Sequence, residues 1–177
     1  MPDHWQFILK LHAHMGWGGL NLFKRKTRVL FVCAENICRS PLAEGLLRHH
    51  LREAGLESSV KVASAGTRVS MTGAPPDHRA EKIAAAAGVR LGRIRARRVT
   101  PEDIEANDYI FAMDHQNLEE LMSISPPAHQ HKISLLLSHR PATETLDVPD
   151  PYYGSTESFR QVYRLIDEAV VSTLPLY

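Results

Sequence analysis

The chain has 177 residues, 44% of them hydrophobic, with 21 Lys and Arg set against 20 Asp and Glu for a formal net charge of +1. That length suits one domain with a full hydrophobic core, and the balanced charge argues against a strongly basic nucleic-acid binder. No apolar run is long enough to span a bilayer, and two cysteines are too few for a secreted disulfide framework, so the cytoplasm is the default compartment.

Residues 1–26 differ in character from the remainder of the chain. They hold Trp5, Phe7, Ile8, Leu9 and Leu11, then Gly16-Trp17-Gly18-Gly19, and close on Lys24-Arg25-Lys26. A secretory signal carries its positive charges first, whereas here the basic cluster comes last. The segment reads as a poorly ordered extension, with an upstream start codon (Met15 competing) or a basic amphipathic membrane-surface segment as alternatives. Residues 27–177 form the domain.

The apolar, β-branched run at 29–32 predicts a strand that ends at Cys33. After a short loop and Arg39, Ser40-Pro41 opens an amphipathic segment, with Ser as a good cap and Pro favouring the first helical turn. Strand, tight loop and helix start gather backbone N–H groups where the unpaired donors and the helix dipole favour an anion. A Cys at the mouth of such a loop favours its thiolate form, and Arg39 offers a planar fork of donors to a phosphate-like oxyanion. One stretch thus holds a nucleophile, an anion cradle and a charge clamp. Both cysteines, Cys33 and Cys38, lie in it, which points to chemistry rather than stapling.

Residues 41–54 place Ala43, Leu46, Leu47, His50, Leu51 and Ala54 on one face of a helix that Gly55 stops. Residues 60–66 read as a second strand, and after Pro75-Pro76-Asp77 a helix carries Ala80, Ile83, Ala84 and Ala87 on one side as far as Gly88. Arg90, Arg93, Arg95, Arg97 and Arg98 come next; such a charge run reads first as a solvated face and second as an electrostatic aid to an anionic substrate. Thr100-Pro101-Glu102-Asp103 has the form of a capped helix start. Residues 108–113 form a third strand, and a helix through Leu118, Leu121 and Met122 ends at Ser125-Pro126-Pro127. Residues 132–137 form a fourth strand, a loop leads to Asp147-Val148-Pro149-Asp150-Pro151-Tyr152-Tyr153-Gly154, and the last helix buries Phe159, Val162, Ile166, Ala169 and Val170. This alternation predicts an α/β fold: a three-layer, doubly wound, four-stranded parallel sheet with helices on both faces. Its ligand sits beyond the carboxyl ends of the strands, where the Cys33 loop leaves the first one.

Cys33 separated by five residues from Arg39-Ser40, with Asp150-Pro151-Tyr152-Tyr153-Gly154 near the end, resembles the low-molecular-weight protein-tyrosine phosphatases. Arg39-Ser40-Pro41-Leu42-Ala43-Glu44-Gly45 reads as their bacterial style, and residues 62–67 and 112–114 look like the family's strand ends. The resemblance runs from Thr27 to the C-terminus. It implies the phosphotyrosine protein phosphatase I-like fold and a two-step phosphoryl transfer. Cys33 would be the nucleophile that becomes phosphocysteine, Arg39 would hold the equatorial oxygens, and Asp150 would protonate the leaving tyrosine oxygen and then deprotonate the incoming water. Ala34, Glu35, Asn36, Ile37 and Cys38 would make the phosphate loop, with Asn36 as its brace, and Ser40 would donate a hydrogen bond that keeps Cys33 anionic. Tyr152 and Tyr153 would line the aromatic pocket, and Cys38 would lie near enough to Cys33 for a reversible disulfide.

The implied partner is a phosphotyrosine-containing protein, with a bacterial tyrosine autokinase of exopolysaccharide production as the family's common case. No nucleic acid, metal or cofactor is implied; the histidines show no metal-ligand spacing. Two positions depart from the family. Glu35 stands where glycine is usual and should weaken anion binding unless it points outward, and Ile94 stands where a histidine often supports the loop, leaving Glu44 as the surviving support. Two other functions compete. An arsenate reductase needs further cysteines beyond the loop, and none follows Cys38. A phosphotyrosine- or anion-binding module that has lost turnover would have Glu35 as its mark, but Cys33, Arg39, Ser40 and Asp150 are all present. The expectation is an active phosphatase.

Overall fold

The computed structural model of the chain describes residues 25–141 and 145–177; the expectations for residues 1–24 lie outside the described residues. Four strands, β1 (Thr27–Cys33), β2 (Val60–Gly66), β3 (Tyr109–Ala112) and β4 (Ile133–Leu135), pair in the order β2-β1-β3-β4, all parallel. Among the described residues, five helices connect and cover them: α1 (Arg39–Glu53), α2 (His78–Ala86), α3 (Pro101–Ala106), α4 (His115–Ile124) and α5 (Thr156–Thr173).

The period-2 alternation of β1 makes the three layers. Val29 and Phe31 face one side and pack with Leu42, Leu46 and Leu47 of α1, Ala80 and Ala84 of α2, and Phe159, Val162 and Ile166 of α5. Leu30 and Val32 face the other and pack with Ile104 of α3 and Leu121 of α4. With both faces covered, β1 can be apolar at every position from 29 to 33, all buried. β1 lies between β2 and β3, so the chain reverses its winding there and the loops after β1 and β3 open side by side at one end of the sheet.

Local signals mostly hold. Gly55 and Gly88 adopt left-handed φ of 70° and 76° just past α1 and α2. Thr100 and Asp103 form a reciprocal capping box, with Pro101 in the first turn of α3. Three expectations need correction. The fourth strand is three residues long, because 3₁₀ turns at Pro127–Lys132 and Leu136–His139 flank it; Leu136 and Leu137 are apolar because they are buried, not because they are extended. Ala87 is the exposed C-terminal cap of α2 rather than part of its packed face. Ser40 does not cap α1: Cys38 takes that position without a side-chain bond, and the Ser40 hydroxyl is turned to other partners.

Candidate active site

The loop between β1 and α1 is built on one unusual backbone position. Asn36 has φ of 56°, a left-handed conformation that asparagine tolerates better than most residues. Its side chain then satisfies every direction: Nδ2 donates to Ser40 Oγ and to Ser64 Oγ, both at 2.9 Å, and Oδ1 accepts from the Arg97 backbone N–H at 3.1 Å. Ser40 Oγ lies 3.0 Å from Cys33 Sγ. Ser64 in turn donates to Glu44 Oε2 at 2.5 Å, and Glu44 Oε1 meets Arg48 at 2.5 Å. A continuous chain of polar contacts therefore runs from Arg48 on the flank of α1 to the sulfur of Cys33. Burial pushes the Glu44 carboxyl above its ordinary range, against the opposing pull of Arg48 and Ser64.

The loop is also pressed from above. Thr67 and Arg68 donate backbone N–H bonds to the carbonyls of Cys33 and Ala34, each at 2.9 Å, and Gly66 lets this happen. A Cβ at Gly66 would lie 2.5 Å from Ala34 O and 3.0 Å from Asn36 N. On the other flank the Asp77 N–H donates to Ile37 O at 2.8 Å. The backbone N–H groups of residues 34–38 donate to no acceptor among the described residues, leaving a row of donors at the start of α1.

Arg39 is 3% exposed. Nη1 donates to Asp114 Oδ2 at 2.6 Å and to Val148 O at 3.0 Å, while Nη2 donates to Asp150 Oδ2 at 2.9 Å. Burial works against its charge, but Cys33, Asp150 and Asp114 outweigh it and push its pKa upward. Asp150 is half-exposed, and its Oδ1 accepts from the Tyr152 N–H at 3.1 Å in a local turn. Tyr152 and Tyr153 stand edge to face with ring centroids 5.0 Å apart, Tyr152 44% exposed and Tyr153 97% exposed. Cys38 is a buried free thiol whose pKa burial drives well upward.

Glu35 points outward. Its Oε2 accepts from both the N–H and the hydroxyl of Ser70, each at 2.8 Å, so its charge is spent on the loop after β2 rather than on the row of donors. Ile94 is buried in the core, and the Arg97 N–H serves the Asn36 side chain from that segment. The Arg97 guanidinium pairs with Asp103 at 2.7 Å, and Arg90, Arg95 and Arg98 are exposed. Arg90 and Arg93 line a separate cleft of about 380 Å³ along α1 with Arg48 and Arg52. The solvated-face reading of the arginine run therefore describes its side chains.

Three contributors escaped the sequence analysis as members of the site: Ser64, Asp114 and Asp77. Asp114 had a signal, since it follows the carboxyl end of β3 at the same end of the sheet as Cys33. Ser64 is one hydroxyl in the middle of a strand and had none. Among the described residues, no three His, Cys, Asp or Glu side chains converge as metal ligands, and no helix is long and apolar enough to cross a membrane.

Comparison with known proteins agrees with this geometry. YfkJ of Bacillus subtilis, a low molecular weight protein-tyrosine-phosphatase, is 39% identical over 138 residues, 78% of this chain and 87% of the relative. Its crystal structure superposes with a TM-score of 0.82 at 36% identity, over 86% of this chain and 95% of that one. A protein tyrosine phosphatase from Entamoeba histolytica, crystallised with Hepes in the active site, gives 0.81 at 33% identity over 85% and 96%. Wzb of Vibrio vulnificus, in complex with benzylphosphonate, gives 0.73 at 30% identity over 86% and 100%. The family model for low molecular weight phosphotyrosine protein phosphatase matches residues 28–174. With most of its length matched in sequence and in fold, the chain belongs to that family and is a protein-tyrosine phosphatase.

Proposed function

We propose that the chain hydrolyses phosphotyrosine in proteins through a phosphocysteine intermediate. The observation that carries this is the meeting of four groups: Cys33 Sγ lies 3.0 Å from the Ser40 hydroxyl, Arg39 lies 2.9 Å from Asp150, and Cys33 and Arg39 interact electrostatically. The phosphoryl oxygens take the row of backbone donors and the outer nitrogen of Arg39, and the displaced Asp150 carboxylate takes up a proton from solvent as it turns toward the leaving group. The Cys33 thiolate, held by a hydrogen bond donated from Ser40, attacks phosphorus in line. The P–O bond breaks, and Asp150 gives its proton to the tyrosine oxygen. Water then attacks the phosphocysteine, Asp150 takes its proton, the P–S bond breaks, and orthophosphate leaves with the thiolate restored.

Asp114 keeps Nη1 of Arg39 fixed while Nη2 changes partner, so the guanidinium stays oriented throughout. Tyr152 and Tyr153 form the rim that meets the substrate ring. The bonds of Glu35 to Ser70 remove the reason to read this loop as a binding module without turnover. The similarity to a bacterial phosphatase, together with the bacterial style of the loop, supports a bacterial tyrosine autokinase among the substrates.

The test is hydrolysis of p-nitrophenyl phosphate and of a phosphotyrosine peptide by the wild type, Cys33→Ser and Asp150→Asn. Cys33→Ser should show no turnover. Asp150→Asn should lose about 10²- to 10⁴-fold on the peptide and much less on p-nitrophenyl phosphate, whose leaving group needs little protonation. Folded wild type that binds phosphotyrosine without hydrolysing it would overturn the proposal.

A further inference from the structure

Proton donation requires Asp150 to keep its place after phosphate has taken its partner on Arg39. Upstream, its loop is anchored at Val148, whose N–H donates to Met113 O at 2.7 Å and whose carbonyl accepts from Arg39. Downstream, the anchor is Arg79, on the first turn of α2. Asp77 grips Arg79 with both carboxylate oxygens: Oδ1 accepts from Nε at 3.0 Å and Oδ2 accepts from Nη2 at 2.8 Å. Asp77 also uses Oδ1 to cap α2 through the Arg79 N–H, and that network holds its carboxyl below the ordinary carboxylate range. So fixed, the guanidinium donates Nη2 to Tyr152 O at 3.0 Å and Nη1 to Gly154 O at 3.3 Å. Its carbon lies 4.4 Å from the centroid of the buried Phe159 ring and 5.7 Å from that of Tyr152.

The same Asp77 binds the phosphate loop, because its N–H donates to Ile37 O at 2.8 Å. A path of direct bonds therefore runs Ile37–Asp77–Arg79–Tyr152–Asp150, joining the loop that holds the nucleophile to the loop that holds the proton donor. Arg79 holds the second loop by backbone carbonyls while Asp77 grips its Nε and Nη2, so this clamp does not run through the Asp150 carboxylate that phosphate displaces. Arg39 holds Asp150 itself through its carboxylate, and phosphate competes for that bond directly.

We propose that Arg79 is a positioning residue: it clamps residues 152–154 to the phosphate loop, so that Asp150 remains aimed at the leaving oxygen when phosphate displaces it from Arg39. This rests on the reading of Asp150 as proton donor, and the kinetics separate the two. The variants are Arg79→Gln and Arg79→Lys, each also combined with Asp150→Asn. They are assayed as kcat/KM on aryl phosphates of rising leaving-group pKa and on a phosphotyrosine peptide. Orthophosphate inhibition and thermal melting report the phosphate loop and the fold.

Arg79→Gln should lose about 10- to 100-fold on the peptide, within the range of misplaced acid catalysis, and under about threefold on the best leaving group. The orthophosphate inhibition constant should stay near that of the wild type. Arg79→Lys should recover part of the loss by keeping one donor and the charge. In the Asp150→Asn background, Arg79→Gln should add almost nothing. A loss uniform across leaving groups, or one that persists in full beside Asp150→Asn, would overturn the role of Arg79. A flat leaving-group profile for Asp150→Asn alone would instead remove the proton-donor reading beneath it.

Discussion

Glu44 carries a carboxylate where burial disfavours one, and it does so to hold Ser64, which holds Asn36, which holds Ser40. Its pKa is raised from the ordinary 4.5, so the folded protein binds that proton more tightly than the unfolded chain does. The contribution to stability is complete below that ordinary value and is lost as pH rises through the folded one. Glu44→Gln removes this titration while leaving an acceptor for Ser64. The stability of the wild type minus that of Glu44→Gln, measured by urea unfolding, should therefore fall as pH rises above the ordinary 4.5. A gap that widened with pH would show that Arg48 outweighs burial at this site. At the same scale, much of the proposed catalytic set was legible. Cys33, Asn36, Arg39 and Ser40 sit within one strand–loop–helix transition, where residue type and spacing carry the chemistry. Asp150 was readable only beside that motif. Arg79 was not readable at all, since its meaning lies in carbonyls 73 and 75 residues away. Glu35 looked like a burden because the sequence could not show that Ser70 offers it two donors.

Helices and strands are placed by packing, and their ends by contacts from elsewhere. Apolar periodicity located α1 and α5 well, because a buried face repeats over several turns. It overextended β4, because a short apolar run reads the same whether extended or coiled into a 3₁₀ turn. The start of α1 was assigned to a serine cap, yet Ser40 is drawn into the helix by Asn36, Ala65 and Cys33. The end of β2 shows how tightly these elements meet. A methyl group at Gly66 would press on Ala34 O at 2.5 Å and on Val69 Cγ2 at 2.6 Å. Gly66→Ala should cost about 1–3 kcal/mol of stability by overpacking and, by shifting the loop at Asn36, lower kcat/KM as well. Thermal melting and steady-state kinetics check both; unchanged values would mean that the loop after β2 yields freely.

At the scale of the molecule, the parallel sheet brings the ends of β1 and β3 to one side, so residues as distant as Cys33, Asp114 and Asp150 meet around Arg39. The β/α alternation carried the parallel sheet and its ligand end from the sequence alone, but not the place of Asp114. An open sheet also has two borders. β4 is too short to recruit another strand, but β2 runs for seven residues at the opposite border. There Arg48 donates Nη2 to Val62 O at 2.9 Å, occupying a carbonyl that faces away from β1, while Lys61 points to solvent. The guanidinium that steadies Glu44 thus also occupies a backbone acceptor on this border, and the two contacts share one side chain. Arg48→Ala should increase self-association under mild heating, visible as rising light scattering, at temperatures where the wild type stays monodisperse. Cover of the sheet border and support of the network that reaches Cys33 are thereby tied to a single arginine, so a change at this one position is felt at both.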